Sequence, residues 1–365
     1  MQLLNVQILA AVNQKRARGQ LPYIEPWYDF DWRAQQPKEL RPFKPIYNMS
    51  MGMLMLSVNT FLWSWLVGLN NATIGLQRES LSNLITIDSQ YLDRTTIRRE
   101  IVSQYQNTVY GYRPGGEGAV YELYSYILTH YLPRRFPGLF KVESGEFKNL
   151  MTKQIFPAEP PKDPETCLKI LAETIEEDIF LLKETEATHM CLAFACCFPA
   201  GFDPSSKLGA DLAAIHGPVP HYDKIGPSME RYFRKIQPGQ VVRRMNWNVQ
   251  VDEELINISG NHIKKGDSFV EDDNIDCSKA SLLLLYAANL RIELQSLTRL
   301  PDTKFILFCF KTFMYPLESL KRDGSAADLA DAIEGMRKGN APDMHRYKSA
   351  IRWGKSVVEY LRSSV

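Results

Sequence analysis

The histidine with the most unusual surroundings in the sequence is His216. It lies in the apolar stretch 212–220, which two prolines stiffen and where two alanines and a glycine leave room for a large flat group. A neutral imidazole in such a pocket can serve as an axial ligand of heme iron. The residues alone favour a plainer interpretation, in which the imidazole is partly buried and hydrogen-bonded to backbone carbonyls. His262, which follows a predicted strand, is the second candidate ligand.

A pair of arginines opens the predicted strand at residues 243–247. Because side chains alternate along a strand, one of Arg243 and Arg244 can enter a pocket while the other faces solvent. An inward guanidinium could pair with a carboxylate such as a heme propionate, and Asn246 lies close by in the sequence. The alternative is a surface arginine pair beside a buried Trp247, which these residues considered alone favour.

A polar stripe is predicted on one face of the strand that starts near residue 290. Arg291, Glu293 and Gln295 alternate with apolar residues and therefore share a face. The stripe could line a site for an amine cation, or it could be the solvent-exposed face of a sheet. Arg291 and Glu293 are accordingly our candidates for catalytic residues.

The composition excludes several classes of function. The 43 basic and 42 acidic residues leave a net charge of +1, so the chain has no basic field for nucleic acid. It contains no glycine-rich dinucleotide motif, Walker-type lysine loop, nucleophile elbow or HExxH motif. A redox function would therefore need electrons from a partner or from a bound metal cofactor. The six cysteines form no CxxC pair, and we expect a reducing compartment, the cytoplasm.

Two apolar segments bear on membrane association. Residues 3–12 are followed by basic residues, whereas a secretory signal has its basic residues first. Residues 53–69 contain polar side chains and fall short of the roughly 20 residues that a bilayer span requires. We expect no membrane span.

Hydrophobic periodicity predicts helices, then a meander of strands, then helices again. Helices are predicted at residues 93–110, 117–133, 163–177, 328–336 and 345–361, and strands at 179–182, 189–198, 241–251, 255–259, 290–300 and 305–315. The last two strands flank a polar, proline-containing turn and predict a β-hairpin. Residues 1–45, rich in proline and aromatic residues from residue 19 onward, should wrap over the core. This order favours an α+β fold with an antiparallel sheet over a doubly wound one.

These stretches resemble the family of heme-dependent oxidative N-demethylase α-subunits. Residues 197–222 are similar to its block F-P-x-G-[WF]-D-P…K-x-G…L-A-x-I-H-x-P-V-P-x-Y. Residues 227–233, 242–247 and 291–301 resemble P-S-M-[DE]-R-[FY]-F, V-x-R-x-N-W and R-x-E-x-Q-[ST]-L-x-R-L-P. Blocks near residues 29–45 and 334–345 extend the resemblance, in the family's order, over nearly the whole chain.

The resemblance implies a PAS-like antiparallel sheet, flanked by N- and C-terminal helices, that encloses heme b. It implies an O2-dependent, monooxygenase-type oxidation of an amine's N-methyl group with release of formaldehyde, or a related oxidation in specialised metabolism. Electrons would come from an external reductase with NADPH, flavin and iron–sulfur centres. His216 matches the family's histidine and is the implied axial ligand of the iron, with Arg243, Asn246 and His262 expected to bind the cofactor. The alternative is a non-catalytic heme-binding PAS-like sensor or binding module.

The chain departs from the family pattern between Gly52 and Leu76. The family continues directly from this glycine to the leucine, whereas here residues 53–75 intervene. The two junctions can be encoded by fungal-type splice sites, and removal of the segment keeps the reading frame. We therefore interpret residues 53–75 as an unspliced intron within a heme-binding domain that spans residues 46–365. If translated, the segment would be a hydrophobic surface insertion or a weak membrane anchor.

Overall fold

The structure, a computed structural model, describes residues 21–49, 76–259, 262–263 and 288–363. Its helices in this part of the chain are α1 (Tyr91–Tyr105), α2 (Glu117–Ser125), α3 (Pro164–Thr174), α4 (Leu212–His216), α5 (Tyr222–Lys235), α6 (Leu317–Arg322), α7 (Ala326–Gly335), α8 (Asp343–Tyr347) and α9 (Ala350–Arg362). Its strands are β1 (Gln77–Glu79), β2 (Tyr110–Tyr112), β3 (Phe140–Glu143), β4 (Glu146–Asn149), β5 (Ile155–Pro157), β6 (Asp178–Glu184), β7 (His189–Ala195), β8 (Val241–Gln250), β9 (Asn289–Arg299) and β10 (Ile306–Pro316).

The main sheet has the strand order β1-β8-β9-β10-β6-β7-β2, and its neighbouring strands are antiparallel. Strands β9 and β10 pair over their full length, from Asn289 opposite Pro316 to Arg299 opposite Ile306, so the predicted hairpin is confirmed. A second small sheet has the order β3-β4-β5. Helices with a largely antiparallel sheet make the α+β class correct.

One face of the main sheet, which we call the core face, is covered by helices from both ends of the described chain. Leu181 and Leu307 pack with α1 to α3, whereas Leu290 and Ile292 pack with α7 and α9. Burial of each such side chain contributes about 1.5–3 kcal/mol. The two sets of helices therefore bury the core face of the main sheet.

The opposite face, which we call the site face, is only partly covered by helices. Helices α4 and α5 pack over its apolar half through Leu212 and Phe233, which contact Phe180 and Phe310 of the sheet. The remaining half, along β8 and β9, carries polar side chains. This division follows from strand alternation, because residues two apart point to the same face.

A buried ion pair connects the sheet to the helices of the core face. Asp178 at the start of β6 lies 2.7 Å from Arg98 of α1, and both side chains are almost completely buried. The Asp178 carboxylate also accepts hydrogen bonds from the backbone N–H groups of Cys197 (2.7 Å) and Phe198 (2.9 Å). Arg98 also donates to the carbonyls of Ala172, Glu176 and Glu177. The pair therefore fixes the ends of β6 and β7 relative to α1 and α3.

Several predicted elements differ from the structure. Helix α1 ends at Tyr105, where Gln106 has φ of 43°. The helical path of α2 continues beyond Pro133, first as a π-helical turn at Tyr126–Tyr131 and then as a last turn at Leu132–Arg135. The wider π turn accommodates Pro133, which has no backbone N–H to donate. The strand predicted at 255–259 is wrong, since a single bridge at Asn257 is all that pairs there.

The N-terminal segment covers the core with only some of its aromatic residues. Ile24 and Trp32 are buried, whereas Tyr23 and Tyr28 are 69% and 78% exposed. Within the described residues, no helix is both long and apolar enough to cross a bilayer. The apolar segment 53–69 and the interpreted insertion 53–75 lie outside the described residues.

We predict that Asp178→Ala strongly destabilises the fold. The substitution leaves the buried Arg98 without its carboxylate and two backbone N–H groups without an acceptor, and such a loss typically costs about 3–5 kcal/mol. Urea denaturation followed by circular dichroism measures the change. Glu143→Ala, which removes an exposed contact with Lys148, is the matched control and should change stability by less than about 1 kcal/mol. Similar losses for both variants would contradict a central role for Asp178.

Candidate functional site

His216 is the last residue of the short helix α4. The helix begins at Leu212, where the Asp211 side chain caps it by accepting a hydrogen bond from the N–H of Ala214 (2.7 Å). One turn later, His216 Nδ1 lies 2.8 Å from the Leu212 carbonyl oxygen. A carbonyl can only accept, so Nδ1 carries the proton and Nε2 carries the lone pair. The helix thus selects the tautomer in which Nε2 can bind a metal.

The surroundings of His216 keep its ring neutral. Burial is the main cause that lowers its pKa to about 4, and the hydrogen bond to Leu212 opposes this effect in part. The positive charges of Arg244 and Lys207 lower the pKa further. At neutral pH the imidazole is therefore uncharged, as ligation requires.

A hydrogen-bonded polar cluster occupies the half of the site face that the helices leave uncovered. We define this polar cluster as Arg244, Asn246, Glu293, Gln295 and Lys348. Arg244 Nε donates to Gln295 Oε1 (2.6 Å), and Gln295 Nε2 donates to Glu293 Oε2 (2.7 Å). Asn246 Nδ2 donates to the same carboxylate oxygen (3.3 Å), and Lys348 Nζ donates to Asn246 Oδ1 (3.2 Å). The cluster links β8 and β9 to the residue that follows α8.

Three ring-bearing residues border the polar cluster. The negative charge of Glu293 and, above all, burial raise the pKa of Tyr347 to about 12, while burial raises the pKa of Tyr47. The His262 ring lies 4.5 Å from the Tyr347 ring, measured between centroids. Burial likewise lowers the pKa of Lys348 to about 8, with Glu293 opposing the shift. Two residues that are distant in the sequence, Tyr47 and Tyr347, therefore meet at one site.

Glu293 is a buried carboxylate whose direct hydrogen bonds come from two amides, while the charges of Arg244, Arg291 and Lys348 lie farther away. It is 6% exposed, and within the described residues no lysine, arginine or histidine nitrogen lies within 4.0 Å of its oxygens. Thr312 is its direct partner across the sheet, and the buried Thr312 hydroxyl has no hydrogen-bond partner in the part of the chain that the structure describes. A buried carboxylate next to an unsatisfied hydroxyl suits a cationic ligand that carries N–H groups.

A cluster of aromatic side chains continues from the polar cluster along the same face. Phe180 lies at the centre, with its ring 6.3 Å from Phe308, 6.4 Å from Phe202, 5.9 Å from Phe194 and 6.5 Å from Phe310 between centroids. Phe308 and Phe202 are partly exposed. Helix α4, with His216 at its end, packs on this aromatic cluster through Leu212. The site face therefore combines an aromatic cluster around Phe180, the polar cluster at one end and His216.

The chain from residue 75 to 358 matches the family model described as "Haem-dependent oxidative N-demethylase, alpha subunit-like". The match covers most of the chain and every site residue described above except Tyr47. The protein belongs to this family. Membership makes it a heme-dependent oxidative protein, and the predicted family resemblance is confirmed.

The site residues present in the structure fit a heme. Within the described residues, no group of three or more His, Cys, Asp and Glu side chains is arranged to hold a metal ion directly. A heme instead needs a neutral imidazole with an available Nε2 lone pair and apolar side chains around it, and His216 and the aromatic cluster are of these types. The neighbouring polar cluster supplies hydrogen-bond donors for the propionate carboxylates of a heme.

The structure places Arg243 and Arg291, two of the predicted site residues, in bonds that hold the fold together. Arg243 points to the core face, away from Asn246, and its guanidinium contacts Ser296 Oγ (3.1 Å), a Glu79 carboxylate oxygen (3.0 Å) and the Asn83 carbonyl. Arg291 lies on the site face, where its guanidinium binds Gln250 Oε1 (3.0 Å) and the carbonyls of Phe198 (2.7 Å) and Leu255 (3.1 Å).

Sequence reasoning considered both arginines and chose Arg243, whereas the structure brings Arg244 to the polar cluster. Its neighbours Asn246 and Glu293 were among the predicted residues, and the structure brings them together with His262. The signal that could have identified Arg244 is strand alternation, since a residue two positions before Asn246 must share its face.

Tyr47 reaches the site because the N-terminal segment packs tightly on the C-terminal helices. A Cβ added at Gly335 would lie 1.7 Å from the Pro45 carbonyl oxygen, and one added at Gly339 would lie 1.4 Å from that of Tyr47. Asn340 exchanges hydrogen bonds with the backbone of Met49, at 2.6 Å and 2.8 Å. Two glycines and one asparagine therefore fix the position of Tyr47.

We predict that the stability of the heme-free protein falls as the pH decreases from about 6.5 to about 4. In this window the unfolded chain binds a proton at His216 that the folded chain does not bind, because the folded-state pKa is about 4 and the ordinary value is 6.5. The buried His345, whose pKa burial also lowers to about 4, adds to the same slope. Urea denaturation at pH 4.5, 5.5 and 7 measures how the free energy of unfolding depends on pH.

His216→Asn and His345→Asn should each reduce this pH dependence, because asparagine does not titrate. A slope that remains unchanged in both variants would contradict the assignment of neutral imidazoles to the folded state.

Proposed function

We propose that the protein is a heme b enzyme that uses O2 to oxidise the N-methyl group of an amine, with His216 as the axial ligand of the iron. The geometry of His216 carries this proposal, because its Nδ1 proton is held by the Leu212 carbonyl and its Nε2 lone pair is available at neutral pH. A carbonyl partner on the second nitrogen is the usual companion of a histidine that binds a metal, and it increases the basicity of the ligand.

Heme bound at this site would activate O2 for hydroxylation of the methyl carbon, and the resulting carbinolamine would release formaldehyde. The chain's own groups bind and orient the other reactants. Arg244 is the candidate donor at the polar end of the site face, since it bonds Gln295 through Nε and is close enough to lower the pKa of His216. Asn246 and His262 lie at the same end and are proposed to contact the cofactor.

Glu293 is the residue that we assign to the amine. Its buried carboxylate accepts only amide donors in the described part of the chain, and an ammonium group would add a direct ion pair to the more distant charges of Arg244, Arg291 and Lys348. Arg291 contributes indirectly, because it holds the loops at Phe198 and Leu255 against the strand that carries Glu293. We propose that Arg291 positions Glu293 and that it does not contact the substrate.

The strand order supports a PAS-like fold for the proposed enzyme. When the five long strands β6 to β10 are numbered along the chain, their order in the sheet is 2-1-5-4-3, and α4 and α5 connect the second strand to the third. We propose that this arrangement is PAS-like and that the heme lies between the connecting helices and the site face.

A separate reductase is part of the proposal. The sequence has no dinucleotide-binding motif, so electrons are proposed to come from a protein with NADPH, flavin and iron–sulfur centres. We propose a cytoplasmic location, which suits the free, buried cysteines at positions 167, 191, 196, 197 and 309.

We predict that the full-length protein, reconstituted with hemin, shows a Soret band that depends on His216. His216→Ala should shift or weaken this band because it removes the axial ligand, and visible spectroscopy measures the effect. Lys224→Ala, an exposed substitution in α5, is the control and should retain the wild-type spectrum. Absence of a Soret band in the wild type would refute the heme proposal, and an unchanged band in His216→Ala would move the ligand to another residue.

We predict that Glu293→Gln weakens amine binding roughly tenfold to a hundredfold, the range expected for loss of a charged hydrogen bond. Glutamine keeps the acceptor for Asn246 and Gln295, so the heme spectrum should not change. The measurement is oxygen uptake and formaldehyde release against amine concentration, with a surrogate reductant. Glu253→Gln, an exposed residue, is the control. Equal apparent KM values for the wild type and Glu293→Gln would exclude Glu293 as the amine site.

A further inference from the structure

The orientation of the His216 ring is not determined by its hydrogen bond alone. A single contact between Nδ1 and the Leu212 carbonyl fixes one direction but permits rotation of the ring plane about it. Helix α4 is only five residues long, and its two alanines are exposed, so the helix adds little packing around the ring. A second contact is needed to fix the plane.

Tyr222 provides that second contact. Its ring is stacked on the His216 ring, with a centroid distance of 4.8 Å and an angle of 6° between the planes. The backbone makes this possible, because Val219 N–H donates to the His216 carbonyl (2.8 Å) and His221 adopts a left-handed conformation (φ 58°) before α5 begins. The turn therefore brings Tyr222 back over the histidine.

Tyr222 is itself held by a glycine one helical turn later. A Cβ added at Gly226 would lie 2.9 Å from Tyr222 Cε1, so a larger residue at this position would displace the ring. Ile225 belongs to the same small hydrophobic cluster as Tyr222. The Tyr222 hydroxyl is buried and has no hydrogen-bond partner in the described residues, so the ring makes the contact and the hydroxyl does not.

We propose that Tyr222 is a positioning residue, clamped by Gly226, whose ring sets the plane of the iron-bound His216 imidazole. The inference rests on the proposed function, since it assumes that His216 binds heme iron. The plane of an axial imidazole determines how its orbitals overlap with those of the iron, and outer contacts of a metal-bound histidine usually change metal affinity 10- to 100-fold. The stack would therefore adjust both the electronic state of the iron and the retention of heme.

The test uses full-length protein reconstituted with hemin and converted to its ferric cyanide adduct. Electron paramagnetic resonance measures the g values, which respond to the imidazole plane, and transfer of heme to apomyoglobin measures its dissociation rate. Tyr222→Leu removes the ring, and Gly226→Ala pushes it aside. Both should shift or broaden the largest g value and accelerate heme loss roughly tenfold to a hundredfold.

Two matched variants separate orientation from stability. Tyr222→Phe keeps the ring and removes only an unpaired hydroxyl, so it should give the wild-type spectrum. Ile225→Ala removes packing from the same cluster but keeps both stacked rings and Gly226, so it should lower the thermal midpoint but retain the g values. If Tyr222→Leu does not fold, Gly226→Ala decides the outcome.

Wild-type g values in both Tyr222→Leu and Gly226→Ala, or an equal shift in Ile225→Ala, would overturn the positioning role. The failure of the proposed function is distinguishable, because His216→Ala would then retain the wild-type spectrum. If His216→Ala loses its signal while Tyr222→Leu does not change, heme ligation stands and the clamp is refuted.

Discussion

The interaction on which the rest of the structure depends is the buried ion pair between Asp178 and Arg98. Neither charge can remain unpaired in the interior, so every group that neutralises Asp178 must take a defined place. Two of these groups are the N–H donors of Cys197 and Phe198. The carbonyl of Phe198 is in turn held by Arg291, two residues from Glu293 on β9. The buried ion pair thus determines where the polar end of the site face lies.

Local patterns were enough to predict much of this architecture. The β9–β10 hairpin follows from two apolar runs and a polar turn, and the shared face of Arg291, Glu293 and Gln295 follows from alternation. The short helix α4 and helix α5 were not predicted. Their apolar residues are few, and Pro227 lies inside α5, where a proline usually indicates an end. His216 was found by its neighbours, but its tautomer depends on a helix that the sequence did not indicate.

The parts of the site that could not be predicted depend on contacts between distant residues. Strand alternation places Arg244 on the same face as Asn246, but which face holds the site depends on distant partners, since Glu79 binds Arg243 and Gln295 binds Arg244. Tyr47 reaches the polar cluster because Gly335 and Gly339 allow the backbone of the N-terminal segment to come into contact. A glycine at such a position indicates that another segment of the chain comes close, but no pattern in the sequence identifies that segment.

The contact between Tyr47 and the C-terminal glycines also constrains the order in which the site forms. Tyr47 and Lys348 are about 300 residues apart, yet both lie near Arg244 of the polar cluster. During synthesis the N-terminal segment leaves the ribosome long before its binding surface on α7 exists, so it must wait without its native partner. The main hairpin, by contrast, can pair as soon as both strands have emerged. The sheet therefore forms before the N-terminal segment and the C-terminal helices pack together. The polar end of the site is completed only when the whole chain has been synthesised.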